Sequence, residues 1–92
     1  MEYNFLKREV YMPEKHYKRD RTIKLGKYAN IFFAVLWFSK GHKAKYEEIF
    51  NRVYGYSQLD KKLLRNMAIL IRRKGIDIRY VYKYGYRLND KK

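Results

Sequence analysis

Two hydrophobic periods divide the chain. Tyr46, Ile49, Phe50 and Val53 recur at 0, +3, +4 and +7, one apolar stripe of a helix over about Lys45 to Tyr54. Glu47 and Glu48 sit in its first turn, where negative charge suits the helix dipole, and Gly55 ends it. Ser57 and Asp60 have capping-box spacing, so a second amphipathic helix is predicted from Leu59 through Lys74. Leu64, Ala68 and Ile71 share one face of it, Leu63 and Met67 lie beside them, and Gly75 follows as a natural C′ residue. Beyond Gly75 the period drops to two. Ile76, Ile78 and Tyr80 alternate with Asp77 and Arg79; Tyr84, Tyr86 and Leu88 alternate with Gly85 and Arg87. This predicts a hairpin with its tip at Tyr82-Lys83-Tyr84, and Gly85 allows a bulge or a close backbone approach.

Upstream, Ile31 to Phe38 is an apolar run with no clean period. Its length, Ala29, Ala34 and the stop at Ser39-Lys40-Gly41 favour a core helix over about Lys27 to Phe38, with Trp37 inside the core. The run is far shorter than the ~20 residues a membrane-spanning helix needs. The first 22 residues are highly charged: Tyr3, Phe5, Val10 and Tyr11 suit a short strand, and Pro13 marks a turn or an edge. His16 to Arg21 reads equally as a basic arm or a solvated connector. The order is helix, helix, basic helix, hairpin. That predicts an α+β winged helix-turn-helix: a three-helix core with a C-terminal β-hairpin wing (residues 23–92), preceded by an arm or short strand segment (residues 1–22).

Composition narrows the chemistry. A chain of 92 residues has room for one domain with a modest core, and 47% hydrophobic content is enough to fold it. There is no Cys, which excludes disulfides, thiol catalysis and Cys-based zinc sites. His16 and His42 have no regular carboxylate spacing around them, so neither a metal nor a cofactor is expected. A glycine-rich phosphate loop, H-E-x-x-H and a nucleophile elbow are all missing, and the adjacent Glu47 and Glu48 diverge on a helix. The chain is not read as an enzyme. It starts without a stretch of signal-peptide form, and no predicted helix joins one basic face to a broad exposed apolar one. The reading is a soluble, cytoplasmic, nucleoid-associated protein without a membrane partner.

Charge points to the partner. The net charge of +14, from 23 Lys/Arg against 9 Asp/Glu, favours a polyanion, and alone it fits DNA, RNA or an anionic membrane. The helix after the short turn is apolar behind and basic in front, which suits the major groove of double-stranded DNA. Lys61, Lys62, Arg65 and Asn66 would lie near base edges; Arg65 can donate twice to guanine and Asn66 can pair with adenine. Arg72 and Arg73 come later and would reach phosphates. The hairpin offers Arg79, Tyr82, Lys83 and Arg87, with Lys83 at the tip placed for the backbone or the minor groove. Tyr86 is assigned to the core; Tyr82 and Tyr84 stay open. Lys43 and Lys45, near the start of the second helix, could help its N–H groups clamp a phosphate. The plain alternative is that these charges only solvate the surface.

Three stretches resemble the C-terminal DNA-binding domain of OmpR/PhoB-type response regulators. Leu25 to Leu36 with Gly41 beyond is similar to that family's "L-T-x-x-E-F-x-L-L-x-x-L…G". Tyr46 to Gly55 is similar to "R-E-E-L-…-V-W-G". Ile71-Arg72-Arg73-Lys74 resembles "L-R-x-K", and Ile78 to Leu88 resembles "I-x-T-V-R-G-x-G-Y-x-L", with Gly85-Tyr86-Arg87-Leu88 in register. The resemblance implies a promoter-binding domain whose recognition face is Lys61, Lys62, Arg65, Asn66, Ile69 and Arg73, with a wing contact at Tyr82. It also implies RNA polymerase as a second partner, met by Tyr56, Ser57 and Gln58. The family's Thr and Glu positions are Gly26 and Ala29 here, and its wing glycine is Lys83. The residues ahead of Ile23 cannot hold a receiver domain, so control by phosphorylation is not expected and the family's N-terminal sheet is expected to be reduced. A compact version of this kind suggests a virus or a mobile element.

The leading expectation is a sequence-specific regulator of transcription. The alternatives are a winged-helix adaptor for a protein such as RNA polymerase, and a nonspecific architectural nucleic-acid binder. One groove-reading helix per chain gives limited specificity, which leaves room for a homodimer on DNA.

Overall fold

The computed structural model describes residues 1–13, 19–55 and 58–90. Three short strands open the chain: β1 (Glu2–Asn4), β2 (Glu9–Met12) and β3 (Arg21–Lys24). They form an antiparallel sheet in the order β1-β2-β3, with Val10 opposite both Tyr3 and Ile23. The sequence suggested one short strand and a reduced sheet; the segment holds three strands, because alternation puts Val10, Met12 and Ile23 on one apolar face that is buried in the core.

Helix α1 (Lys27–Phe38) occupies the bounds read from the sequence. Phe32, Phe33 and Leu36 are wholly buried, and its start is bound to the sheet through Asn30, the one buried polar residue among those described. The Asn30 side-chain amide donates to the Phe5 carbonyl (3.2 Å). The Tyr3 hydroxyl lies within bonding distance of both the Asn30 side-chain oxygen and its backbone carbonyl. The Tyr3 ring also meets Phe33 edge-on at 4.6 Å. A buried amide is tolerable only when its polar atoms are satisfied in this way.

After α1 a single 3-10 turn (Lys40–His42), with Gly41 at φ 70°, leads into β4 (Lys43–Lys45). Helix α2 (Tyr46–Tyr54) buries Tyr46, Ile49, Phe50 and Val53, the stripe read from the sequence. Helix α3 (Lys61–Arg73) buries Leu64, Ala68 and Ile71. The expected start at Leu59 moves to Lys61, because Asp60 is itself the N-cap; Ser57, assigned to a capping box, lies outside the described residues, as do Tyr56 and His16. Gly75 follows α3 at φ 102°, a conformation in which glycine is favoured.

The hairpin consists of β5 (Ile78–Val81) and β6 (Gly85–Leu88) around a turn at residues 82–84. One strand of this sheet was not anticipated. Lys43–Lys45 pairs antiparallel with β6, giving the order β4-β6-β5 and moving Lys45 out of α2 into a strand. Three residues with one apolar side chain carry too little pattern to be read as a strand. The pairing demands Gly85: a Cβ there would collide with the Ala44 carbonyl oxygen and lie 2.9 Å from the Lys45 Cα. This is the close backbone approach allowed for at Gly85.

Gly85→Ala is therefore expected to lower unfolding stability by about 2–3 kcal/mol, since backbone rather than a pliant side chain must move. Gly26→Ala, with nothing near its added methyl, should change it by less than about 0.5 kcal/mol. Urea midpoints of the two variants test the contrast.

Candidate nucleic-acid interface

The outward side of α3 is built on a charge conflict. Lys61 and Lys62 occupy its first turn, where the helix dipole disfavours cations by a few tenths of a kcal/mol or more each. Asp60 offsets this, its side chain accepting from the Lys62 N–H (2.9 Å) and the Leu63 N–H (3.4 Å). With Leu64, Ala68 and Ile71 fixed inward, the helical period turns Lys62, Asn66 and Arg73 to the opposite side, and all three are exposed. Arg65, Ile69 and Arg72 turn toward the hairpin. There, together with Lys61, Lys62 and Asn66, they line a groove of about 620 Å³ floored by Tyr46, Tyr80 and Tyr86.

Arg72 fixes the width of this groove. Its Nε donates to the Ile78 carbonyl (2.6 Å), tying α3 to the first strand of the hairpin. Tyr86 is buried, as assigned from the sequence, and Tyr80 is half exposed at the core's edge. The Tyr46 and Tyr80 rings each pack edge-on against Tyr86, at 6.0 and 5.9 Å. Tyr46 and Tyr80 were legible only as core positions; nothing in their spacing announced a groove floor. The Tyr46 hydroxyl is buried and has no hydrogen-bond partner among the described residues. Burial, and then the neighbouring Tyr80, push its pKa well above the ordinary tyrosine value.

The strand pairing gathers lysines that are far apart in sequence. Lys45 of β4, Lys61 of α3 and Lys83 of the hairpin tip surround one cavity at the start of α2, with Glu47 the acidic side chain among them. The first N–H of α2, from Tyr46, is already bonded to the Tyr84 carbonyl (3.1 Å), so the tip and the helix start are one unit. The Lys61 ammonium stands 4.7 Å from the centre of the Tyr46 ring, and the Lys43 ammonium 5.4 Å from that of Tyr84. Lys43 and Lys45 are both exposed and flank the buried Ala44.

At the tip, Tyr82 is 75% exposed and Lys83 adopts φ 55°. This left-handed turn explains why glycine would suit the position. Arg79 does not join the groove. It pairs across the hairpin with Arg87, on the face away from Tyr80, and its guanidinium is engaged by Asp77 (Nε–Oδ1 2.7 Å). Asp77 also accepts from the Asn89 amide (2.9 Å). Among the described residues no cluster of His, Asp and Glu could hold a metal ion, and no helix is long and apolar enough to cross a membrane.

Comparison with protein-family models and with curated proteins returns no match. Among solved structures, the chain is similar to the crystal structure of the DNA-binding domain of Bacillus subtilis CssR, with a TM-score of 0.68 and 24% sequence identity over 89% of this chain and 91% of that one. The chain has a winged helix-turn-helix fold. Within that fold, α2 and α3 are the helix-turn-helix pair, β5 and β6 are the wing, and β4 is the strand that anchors the wing to α2.

Two expectations follow from the tyrosines of this winged helix. Tyr46→Phe removes a buried hydroxyl that lacks a well-formed hydrogen bond among the described residues and should leave stability unchanged or raise it by about 1 kcal/mol, measured by denaturant unfolding. Burial also pushes the Tyr3 pKa from 10.0 up to about 12. A phenol whose pKa is raised by folding contributes stability that is intact below pH 10 and lost as pH climbs toward 12. Unfolding midpoints should fall across that window, and Tyr3→Phe should flatten the fall.

Proposed function

We propose that this chain is a sequence-specific, double-stranded DNA-binding regulator of transcription of the OmpR/PhoB type. Helix α3 enters the major groove, and the β5–β6 wing lies on the backbone or in the minor groove. One observation carries the reading: a capped helix presents Lys62, Asn66 and Arg73 outward while its Arg72 is bonded to the wing beside it. A major groove about 12 Å wide admits one such helix. The likeness to the CssR DNA-binding domain supports the same reading.

Within it the candidate residues take distinct roles. Arg65 and Asn66 contact base edges, with Ile69 beside them; Lys62 and Arg73 flank them on the groove walls. Lys45, Lys61 and Lys83 hold one phosphate-bearing stretch of backbone at the start of α2, with Lys43 next to it. Tyr82 and Lys83 reach the wing-side backbone or the minor groove. Arg72 acts by positioning the wing, and Arg79, engaged by Asp77, adds little. Two copies pair on one site to reach useful specificity, and RNA polymerase is met near Gln58. The protein acts on the DNA of the cytoplasm.

The test is selection of bound sites from random duplex DNA at about 150 mM salt. A motif of several base pairs is expected, with Arg65→Ala or Asn66→Ala relaxing preference at one position at a loss of about tenfold or more. Lys83→Ala should weaken binding to all sequences alike and reduce the salt slope by about one. Binding without any motif would make the protein an architectural binder. Failure to bind duplex would overturn the proposal in favour of a protein partner.

A further inference from the structure

Leu63 and Leu70 stand 42% and 50% exposed on α3. The helix buries Leu64, Ala68 and Ile71 for its core, so these two leucines are not needed to hold it down. Together with the half-buried Ile69, they surround Asn66: Leu63 three residues before it, Ile69 three after and Leu70 four after. Side chains at such spacings are neighbours on a helix surface, with Cβ atoms ~5–6 Å apart. Leu70 also lines a shallow, mostly apolar cavity with Ala29 and Met67. The outward side of α3 is thus an amide ringed by aliphatic groups, with the cations Lys62 and Arg73 at its two ends.

That pattern matches one kind of base pair. In the major groove an A·T pair presents the adenine N7 acceptor and N6 donor, which an Asn amide can bond together, and beside them the thymine 5-methyl group. A G·C pair offers guanine acceptors, a cytosine amine and no methyl. Aliphatic side chains around an amide therefore gain contact with A·T and gain none with G·C. We propose that Asn66, Leu63, Ile69 and Leu70 form one A·T-reading unit: the amide takes adenine, and the aliphatic groups cover the 5-methyl of the partner thymine and of its neighbour. This rests on α3 being the groove-reading helix. It adds a substrate class to that reading and brings in Leu63 and Leu70, which the charge pattern of the helix passes over.

The experiment changes the DNA rather than the protein. A site is first selected with the full chain, and each thymine of its core is then replaced singly by deoxyuridine, which keeps every hydrogen bond and loses only the methyl. Affinity is expected to fall about three- to fourfold at each covered methyl, the worth of one buried methyl-sized group. Leu63→Ala or Leu70→Ala should bind the thymine and deoxyuridine forms of one such position equally; both side chains are at the surface, so the fold is kept. A wild-type chain that selects a site yet binds its thymine and deoxyuridine forms alike overturns this inference and leaves the regulator reading standing, as does a selected core made of G·C pairs. A chain that binds no duplex overturns both.

Discussion

The contact between β4 and β6 sets the geometry of everything that follows it in the chain. Three residues of extended backbone between α1 and α2 lie so close to Gly85 that no side chain fits there. Without this strand the β5–β6 hairpin would be two strands alone, an arrangement that is marginal in water. With it, the hairpin belongs to the same sheet as Lys45, the residue that precedes α2, and the Tyr46 N–H is held by the Tyr84 carbonyl. The distance from hairpin tip to helix start is then fixed by backbone hydrogen bonds, not by side chains. Lys45 and Lys83 converge because their backbones are already held together, and α3 packs alongside to bring Lys61 to them.

Charge is distributed less simply than a net of +14 suggests. Asp60 caps the helix end where two lysines stand, and Asp77 neutralises an arginine that faces another across the hairpin. Few acids are available, and these two lie where like charges would otherwise meet with nothing between them. On the sheet side, Arg21 donates to the Gly75 carbonyl (3.2 Å) and Lys74 to the Lys24 carbonyl (2.7 Å), so some of the positive charge is engaged in closing the end of α3. Cations near a helix C-terminus are favourable there. Counting basic residues therefore overstates the charge offered to a partner.

Much of this architecture was legible where burial is periodic. The stripe of α2, the buried face of α3 and the alternation of β5 and β6 each repeat often enough to identify an element, and α1 follows from its length and its stop at Ser39. The misses share a cause. β1, β2 and β4 are three or four residues long and lack the extended alternation from Ile76 to Leu88 that marks β5 and β6; β1 and β2 pair locally with each other, and β4 exists because β6, far along the chain, pairs with it. The start of α3 was placed two residues early because the cap was sought at Ser57, whereas Asp60 caps the helix. Among the candidate site residues, the front of α3 could be read from the helix wheel. The closeness of Lys45, Lys61 and Lys83, and the engagement of Arg79 by Asp77, depend on chain reversals that no local pattern records. Tyr46 and Tyr80 satisfied the core pattern equally well, so their place on a groove floor was hidden by the apolar character they share with core residues.

The bond from Arg72 to the Ile78 carbonyl has a thermodynamic side. It adds a direct tie between the helix and the hairpin, two segments that already share one core. The ordering entropy of that joint is spent when the chain folds and is not charged again when a large ligand is engaged. Association between preformed surfaces should then carry only the heat-capacity change of the area they cover, well short of the change that marks folding coupled to binding. The domain would meet its partner as a rigid die meets a mould, and selectivity would come from misfit, since a body that cannot adapt gains little from the wrong surface.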